Sequence, residues 1–339
     1  MALEEEEVET GTAPQLASNS PPKISPNESL VFIFIELVYH SLKKAIYNKS
    51  IMGYKVGLVL QGGGTRSAFT AGVLDTLMEN QFVFPYIIGT SAGALQAVNY
   101  LSGDVGRSKD IAINLMTDKK FVSLFNLLHF GTLFNFTYLF VEVPKTVIPF
   151  NSKAYLASPV RFTVATTGLE DGKAHYFVKG VCPEMWKALA ASSSLPLLTW
   201  KPVLVEGHPY LDGGPAANIP FRRALEDGCE KIVVVSTRAL GFRKAAPKKK
   251  HLHQAKLLYK KYPEFLKAYA QESNIYNQDA DDLDALEKSG KAFVIRPSQP
   301  VTIGRTCRNK AKLDALYHEG ADVTRDAISQ LRLFLSSPE

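Results

Sequence analysis

Three short motifs in this 339-residue chain carry side chains and amides able to do chemistry together. Gly62-Gly63-Gly64-Thr65-Arg66 follows an apolar run at residues 56–60, Gly89-Thr90-Ser91-Ala92-Gly93 follows a second at 86–89, and Asp212-Gly213-Gly214 follows Tyr210-Leu211. The middle motif fits G-x-S-x-G, in which small neighbours let a sharp strand-to-helix turn push a serine hydroxyl outward as a nucleophile. Such a hydroxyl needs a base, and histidine is the usual one. The glycine run has three readings: its free amides can hold an oxyanion, cradle a phosphate, or simply make a tight turn. The phosphate reading lacks both G-x-G-x-x-G and the Lys-Ser/Thr pair of a P-loop. Taken alone, Asp-Gly-Gly is ordinary turn sequence.

What must position these groups is an alternation of short β-rich runs and helical stretches from Lys55 onward, as an α/β layered fold requires. Strands are expected at 56–60, 86–89, 161–167, 175–178, 232–236 and 292–295. The nearly continuous apolar runs at 56–60 and 232–235 suit strands covered by helices on both faces. Phe69, Val73 and Leu77, with Leu74 and Met78, recur at four-residue steps, so residues 65–79 read as the crossover helix of a strand-helix-strand unit. A right-handed crossover brings the ends of both strands to one sheet edge, where residues 62–65 converge with Ser91. Of the seven histidines only His251, His253 and His318 come late enough for a Ser-Asp-His order, and none has a distinctive setting.

G-G-G-x-R, G-x-S-x-G and D-G-G, in this order and at this separation, resemble the patatin-like phospholipase family over roughly residues 55–227, with similarity to bacterial members extending through Ala292 to Pro297. The resemblance implies a three-layer α/β fold with a mostly parallel central sheet and helices on both faces. It also implies a Ser-Asp dyad, with Ser91 as nucleophile and Asp212 as base, in an elbow framed by Gly89 and Gly93. Gly62, Gly63, Gly64 and Thr65, with Arg66 completing the motif, map onto the oxyanion hole. The implied activity is hydrolysis of carboxylic esters of lipids, with no cofactor and no metal. One departure is visible: the family usually has glycine after the arginine or lysine, where this chain has Ser67. A His-dependent α/β-hydrolase, and an inactive lipid- or nucleic-acid-binding protein on the same fold, are the alternatives.

The rest of the chain bounds these readings. At 46% hydrophobic residues it can bury a large core, and three scattered cysteines with no C-x-x-C spacing argue against a disulfide framework and a zinc site. A cytoplasmic protein, peripheral on the inner face of a membrane, is the expected setting; the start lacks a basic, apolar secretory signal, and the run at 30–39 is too short to span. Four regions are expected: a disordered tail at 1–24, an amphipathic helix at 25–50, a catalytic domain at 51–238, and a C-terminal helical region with one further strand at 239–339. Membrane contact would run through 25–50 or the basic segment 243–261, centred on Lys248, Lys249 and Lys250; no nucleic acid is expected as a partner. The aromatic stretch 121–140 suits either a wall over an acyl chain or ordinary core.

Overall fold

A computed structural model describes residues 54–337 of the chain, so the expected tail and the helix at 25–50 lie outside the described residues. Its strands are β1 (Tyr54–Leu60), β2 (Tyr86–Thr90), β3 (Arg161–Gly168), β4 (Ala174–Val178), β5 (Val203–Val205), β6 (His208–Asp212), β7 (Cys229–Val235) and β8 (Ala292–Ile295). They form one sheet in the order β5-β6-β3-β2-β1-β7-β8, with β4 also paired to β3. Strands β3, β2, β1, β7 and β8 run parallel, and β4, β5 and β6 are antiparallel to their neighbours. This is the mostly parallel α/β sheet expected from the sequence.

The helices used below are α1 (Ser67–Glu79), α2 (Ala92–Ser102), α3 (Met185–Ser192), α4 (Lys249–Leu258), α5 (Pro263–Lys288) and α6 (Lys310–Ser336). Because successive strand residues point to opposite faces, the sheet feeds two cores. Leu58, Leu60, Ile87, Val233 and Val235 pack with residues of α1, α2, α3 and α6 on one side. Val59, Ile88, Ile232 and Val234 pack on the other side with Phe221, Ala224 and, from α5, Tyr276 and Leu283. Helix α1 is buried at every position from Ser67 to Leu77, since the sheet covers one side and α6 the other. Where α1 meets α6 the backbones nearly touch, and a Cβ on Gly72 would stand 2.8 Å from the amide nitrogen of Ala321.

Strands β5 and β6 were not expected. The first is only three residues, Val203-Leu204-Val205, too short to show a period despite its β-favouring valines, and the second is diluted by Pro209 and Asp212. They form because Val205 pairs with His208 across a two-residue turn, in which Glu206 (φ 50°) and Gly207 (φ 85°) both take the positive φ of a type I′ hairpin. Several boundaries also shift. The crossover helix starts as a 3₁₀ turn at Gly64–Arg66 before α1, and β7 stops at Val235, after which the Ser236 hydroxyl turns to donate to Gln61.

Candidate active site

Strand register brings the first two motifs and the third to one level. Leu60 pairs with Gly89, and Thr90 with Ala165, so Gly62 and Ser91 are each the second residue beyond a paired position on neighbouring strands. On the far side of β3, Thr166 pairs with Asp212. Ser91 and Asp212 therefore flank the same step of β3, though 121 positions separate them in the chain.

Ser91 caps helix α2 with φ 56° and ψ −130°, a conformation costly for a non-glycine residue and held only where the surroundings over-determine it. Two contacts do so. The Ser91 amide donates to Ser192 Oγ at 2.8 Å, and that hydroxyl donates onward to the Ala165 carbonyl at 2.6 Å, pinning the elbow to α3 and β3. Gly93 lies so close to β1 that a Cβ there would come within 2.6 Å of Leu60 O and 2.7 Å of Gln61 O. Gly89 is closed from the other side by Ala94, 2.7 Å from where its Cβ would stand.

Asp212 is 2% exposed. Its Oδ1 accepts from the Gly214 amide at 2.7 Å, whereas Oδ2 is buried without a hydrogen-bond partner among the described residues. Burial pushes its pKa up to about 6, against the pull of the nearby Ser91 hydroxyl, the Gly214 amide and the charges of Arg305 and Lys244. The Ser91 hydroxyl is thus near enough to favour the carboxylate without yet meeting it in hydrogen-bond geometry, an arrangement common in free enzymes. Among the described residues, no histidine lines the cavities at Ser91. His318 pairs with Asp314 on the exposed face of α6, far from the dyad in role.

The glycine loop needs a correction: of the four backbone donors assigned to the oxyanion hole, two are already engaged. The Gly62 amide donates to Asn218 O at 3.0 Å and the Thr65 amide to Arg305 O at 3.0 Å. Among the described residues the Gly63 and Gly64 amides donate to no backbone acceptor, and both residues line the cavity with Ser91. Gly64 takes φ +57°, and a Cβ there would collide with the Arg305 carbonyl. Arg66 also lines this cavity, with its Nε buried, and Ser67, where the family usually has glycine, is buried and lines the apolar side.

Two cavities open at Ser91. Each is small, about 70 Å³; one is lined by the glycine loop, Asp212 and several charged groups, the other largely by apolar side chains including Leu95, Ile111, Met116 and Leu139. Phe121, Phe134 and Phe136 from the aromatic stretch line the second, while Phe125 and Phe130 are exposed, so that stretch is part wall and part surface. Sequence reasoning missed Gln61, whose Oε1 accepts from Ser236 Oγ (2.8 Å) and the Thr237 amide (2.9 Å) and whose Nε2 donates to Asn218 (3.1 Å) and Tyr276 (3.2 Å). It also missed Ser192, Asn218, Arg238 and Arg305, none of which stands in a local pattern. The basic segment is partly spent within the fold: Arg243 pairs with Asp281, and Lys244 with Glu272 at 3.0 Å, whereas Lys248, Lys249 and Lys250 are exposed. No helix among the described residues is long and apolar enough to cross a membrane.

Comparison with known proteins places these features in context. The family model described as patatin-like phospholipase matches residues 58–225, and one described only as a domain of unknown function (DUF6363) matches 262–336. The chain is 30% identical over 188 residues to the uncharacterized protein YjjU of Escherichia coli (strain K12), covering 54% of this chain and 52% of that protein. It is 28% identical over 204 residues to lysophospholipase nte1 of Emericella nidulans, covering 57% of this chain and 12% of that protein. The match thus spans about half the length of the first relative and a small part of the second. Among solved structures, VipD from Legionella pneumophila aligns with a TM-score of 0.46 at 12% identity, over 82% of this chain and 67% of that one.

Proposed function

Residues 58–225 belong to the patatin-like phospholipase family, and from that premise we propose that the protein is a serine acyl hydrolase that cleaves carboxylic esters of lipids with Ser91 as nucleophile and Asp212 as base. The observation that carries the reading is a buried carboxylate with one oxygen unpartnered, level with a serine held at φ 56° on a strand-to-helix turn. An unpaired buried acceptor is costly, and accepting the serine proton removes that cost.

Ser91 Oγ attacks the ester carbonyl carbon as its proton passes to Asp212 Oδ2, and the Gly63 and Gly64 amides donate to the oxyanion. Collapse of the tetrahedral species breaks the bond to the alcohol, which leaves with the proton from Asp212, and Ser91 stays acylated. A water then gives its proton to Asp212 and attacks the acyl carbon, releasing the acid and restoring the hydroxyl. A carboxyl pKa of about 6 makes Asp212 a better base than a solvated aspartate while leaving it ionised at neutral pH. Activity therefore rises with pH through about 6, as the carboxylate forms.

A fluorophosphonate probe tests the assignment directly. The purified protein is expected to take up one label at Ser91, and Ser91→Ala to take up none. Undiminished labelling of Ser91→Ala would remove the proposed nucleophile.

A further inference from the structure

The short helix Leu124–Phe130 inverts the usual distribution of polar and apolar groups. Its polar Asn126 is buried and donates to Lys120 O and Phe121 O at 3.1 Å each, while Leu124, Phe125, Leu128 and Phe130 are 71%, 59%, 70% and 56% exposed. Nowhere else among the described residues do four large exposed apolar side chains fall within seven positions. Phe125 stacks on His129 with ring centroids 3.8 Å apart and meets Phe130 edge-on, so these rings pack on one another along the outer face of the helix. Single exposed apolar residues are ordinary on a protein surface, but a contiguous group of them marks a place where something else docks.

Basic groups frame this patch at both ends. Lys119 and Lys120 are exposed just before the helix, and the Asp118 carboxylate beside them is occupied, accepting from Tyr138 OH at 2.7 Å and from the Lys120 amide at 2.8 Å. At the other end Gly131 O accepts from the Trp200 amide at 2.6 Å, and the Lys201 side chain lies against Gly131. Trp200 and Lys201 are both exposed. The lysines held in salt bridges among the described residues are Lys109, Lys187, Lys244 and Lys267, so the charges of Lys119, Lys120 and Lys201 are uncompensated. A two-fold contact with a second copy would set these lysines against their own images, whichever way the helices ran. Anionic headgroups neutralise them instead, while the leucines and phenylalanines enter the acyl region and the indole lies at the boundary between the two.

We infer that the outer face of residues 119–130, together with Trp200 and Lys201, is the surface by which this protein docks on an anionic lipid bilayer. The surface combines what the basic segment lacks: Lys248, Lys249 and Lys250 are exposed, but the nearest large exposed apolar residues along the chain, Leu240 and Leu257, are seven or more positions away. The purpose of docking, though not the docking itself, rests on the acyl-hydrolase reading above. Phe121, directly after the two lysines, and Phe134 and Phe136, just beyond Gly131, line the apolar cavity at Ser91. The segment that touches the bilayer therefore also walls the cavity that receives the ester.

Vesicle co-sedimentation of the full chain carrying Ser91→Ala tests this without turnover, using vesicles of phosphatidylcholine alone and of phosphatidylcholine mixed with phosphatidylglycerol. The protein is expected to prefer the mixed vesicles and to lose that preference at high salt. Adding Leu124→Ser, Phe125→Ser and Leu128→Ser should lower the partition coefficient on both by on the order of 100-fold or more. Adding Lys119→Gln, Lys120→Gln and Lys201→Gln instead should lower it roughly 10- to 100-fold on mixed vesicles alone. Lys248→Gln, Lys249→Gln and Lys250→Gln should leave it unchanged. All these side chains are exposed, so melts matching the parent are expected, and should the serine set misfold, the lysine set decides by itself. Absence of binding to mixed vesicles overturns the surface, as does binding that survives the serine and lysine sets. A light-scattering mass of two chains that the serine set reduces to one assigns the face to a second copy and overturns it too. With Ser91 restored, the serine set should slow hydrolysis of an ester held in mixed vesicles and spare a soluble short-chain p-nitrophenyl ester; equal slowing of both overturns the role in delivery. Wild-type protein that cleaves neither ester would remove the acyl-hydrolase reading and leave the binding result standing.

Discussion

The strand-helix-strand unit at 54–90 and the loop at 296–309 reach the same cavity by opposite means. The first carries its groups on buried, regular elements: β1 and β2 lie inside the parallel sheet, α1 is covered on both sides, and Ser91 is fixed by backbone strain and by Ser192. The second lies between β8 and α6 as an irregular and mostly exposed segment, tied to the glycine loop through Thr65 and to Val122 through Arg308. Bond-making needs sub-ångström placement, which a packed sheet edge supplies, whereas a group that only lines the cavity, as Arg305 does, tolerates a looser frame. The contrast teaches that one site can draw its precision and its lining from different layers of a fold.

The comparison is tested most strongly at the rigid side. Asp212→Asn should lower kcat on the order of 100- to 10,000-fold, the worth of a positioned general base. It should also stabilise the protein. The folded-state pKa of about 6 lies above the unfolded aspartate value, so wild-type stability is full below the unfolded pKa and falls as pH rises through about 6. The variant escapes that loss, which amounts to about 3 kcal/mol at neutral pH and vanishes near pH 3. Thermal melts across that range check it, and a Tm difference that does not grow with pH would refute the burial argument.

Gly93→Ala comes next. A methyl 2.6 Å from Leu60 O must push the elbow off β1, costing about 1–3 kcal/mol, visible in urea melts along with a loss of fluorophosphonate labelling. Wild-type stability and labelling would mean the edge is softer than its packing indicates. The smallest effect is expected at the loop. Thr65→Val leaves Gly304 O and the Cys307 amide without their shared hydroxyl, at about 1 kcal/mol. Faster hydrogen exchange confined to residues near Cys307, with KM rising more than kcat falls, would show the loop serving recognition; an equal fall in kcat would place it in the chemistry instead.

How much of this was legible in the sequence depended on locality. The β1-α1-β2 unit could be read because its apolar runs, glycines and four-residue helical steps all lie within 40 residues and point to the same answer. Hairpin β5-β6 could not, since Val203-Leu204-Val205 is too short to show a period and Pro209 and Asp212 dilute the second strand. The donors at Gly62 and Thr65 looked free in sequence because their acceptors, Asn218 O and Arg305 O, are carbonyls, which no residue type announces. Arg238 and Arg305 were indistinguishable from other surface arginines for the same reason.

By itself the order of residues determined which groups this protein has for chemistry and the layered α/β frame that carries them, because backbone propensity and hydrophobic period act over a few turns of chain. Only the tertiary structure decided that Asp212 lies dry and half-partnered beside Ser91, that two of the loop amides are already engaged, and that three arginines from distant segments share one cavity. Burial and electrostatic proximity depend on what packs around a group, and the neighbours here come from as far as 242 positions along the chain.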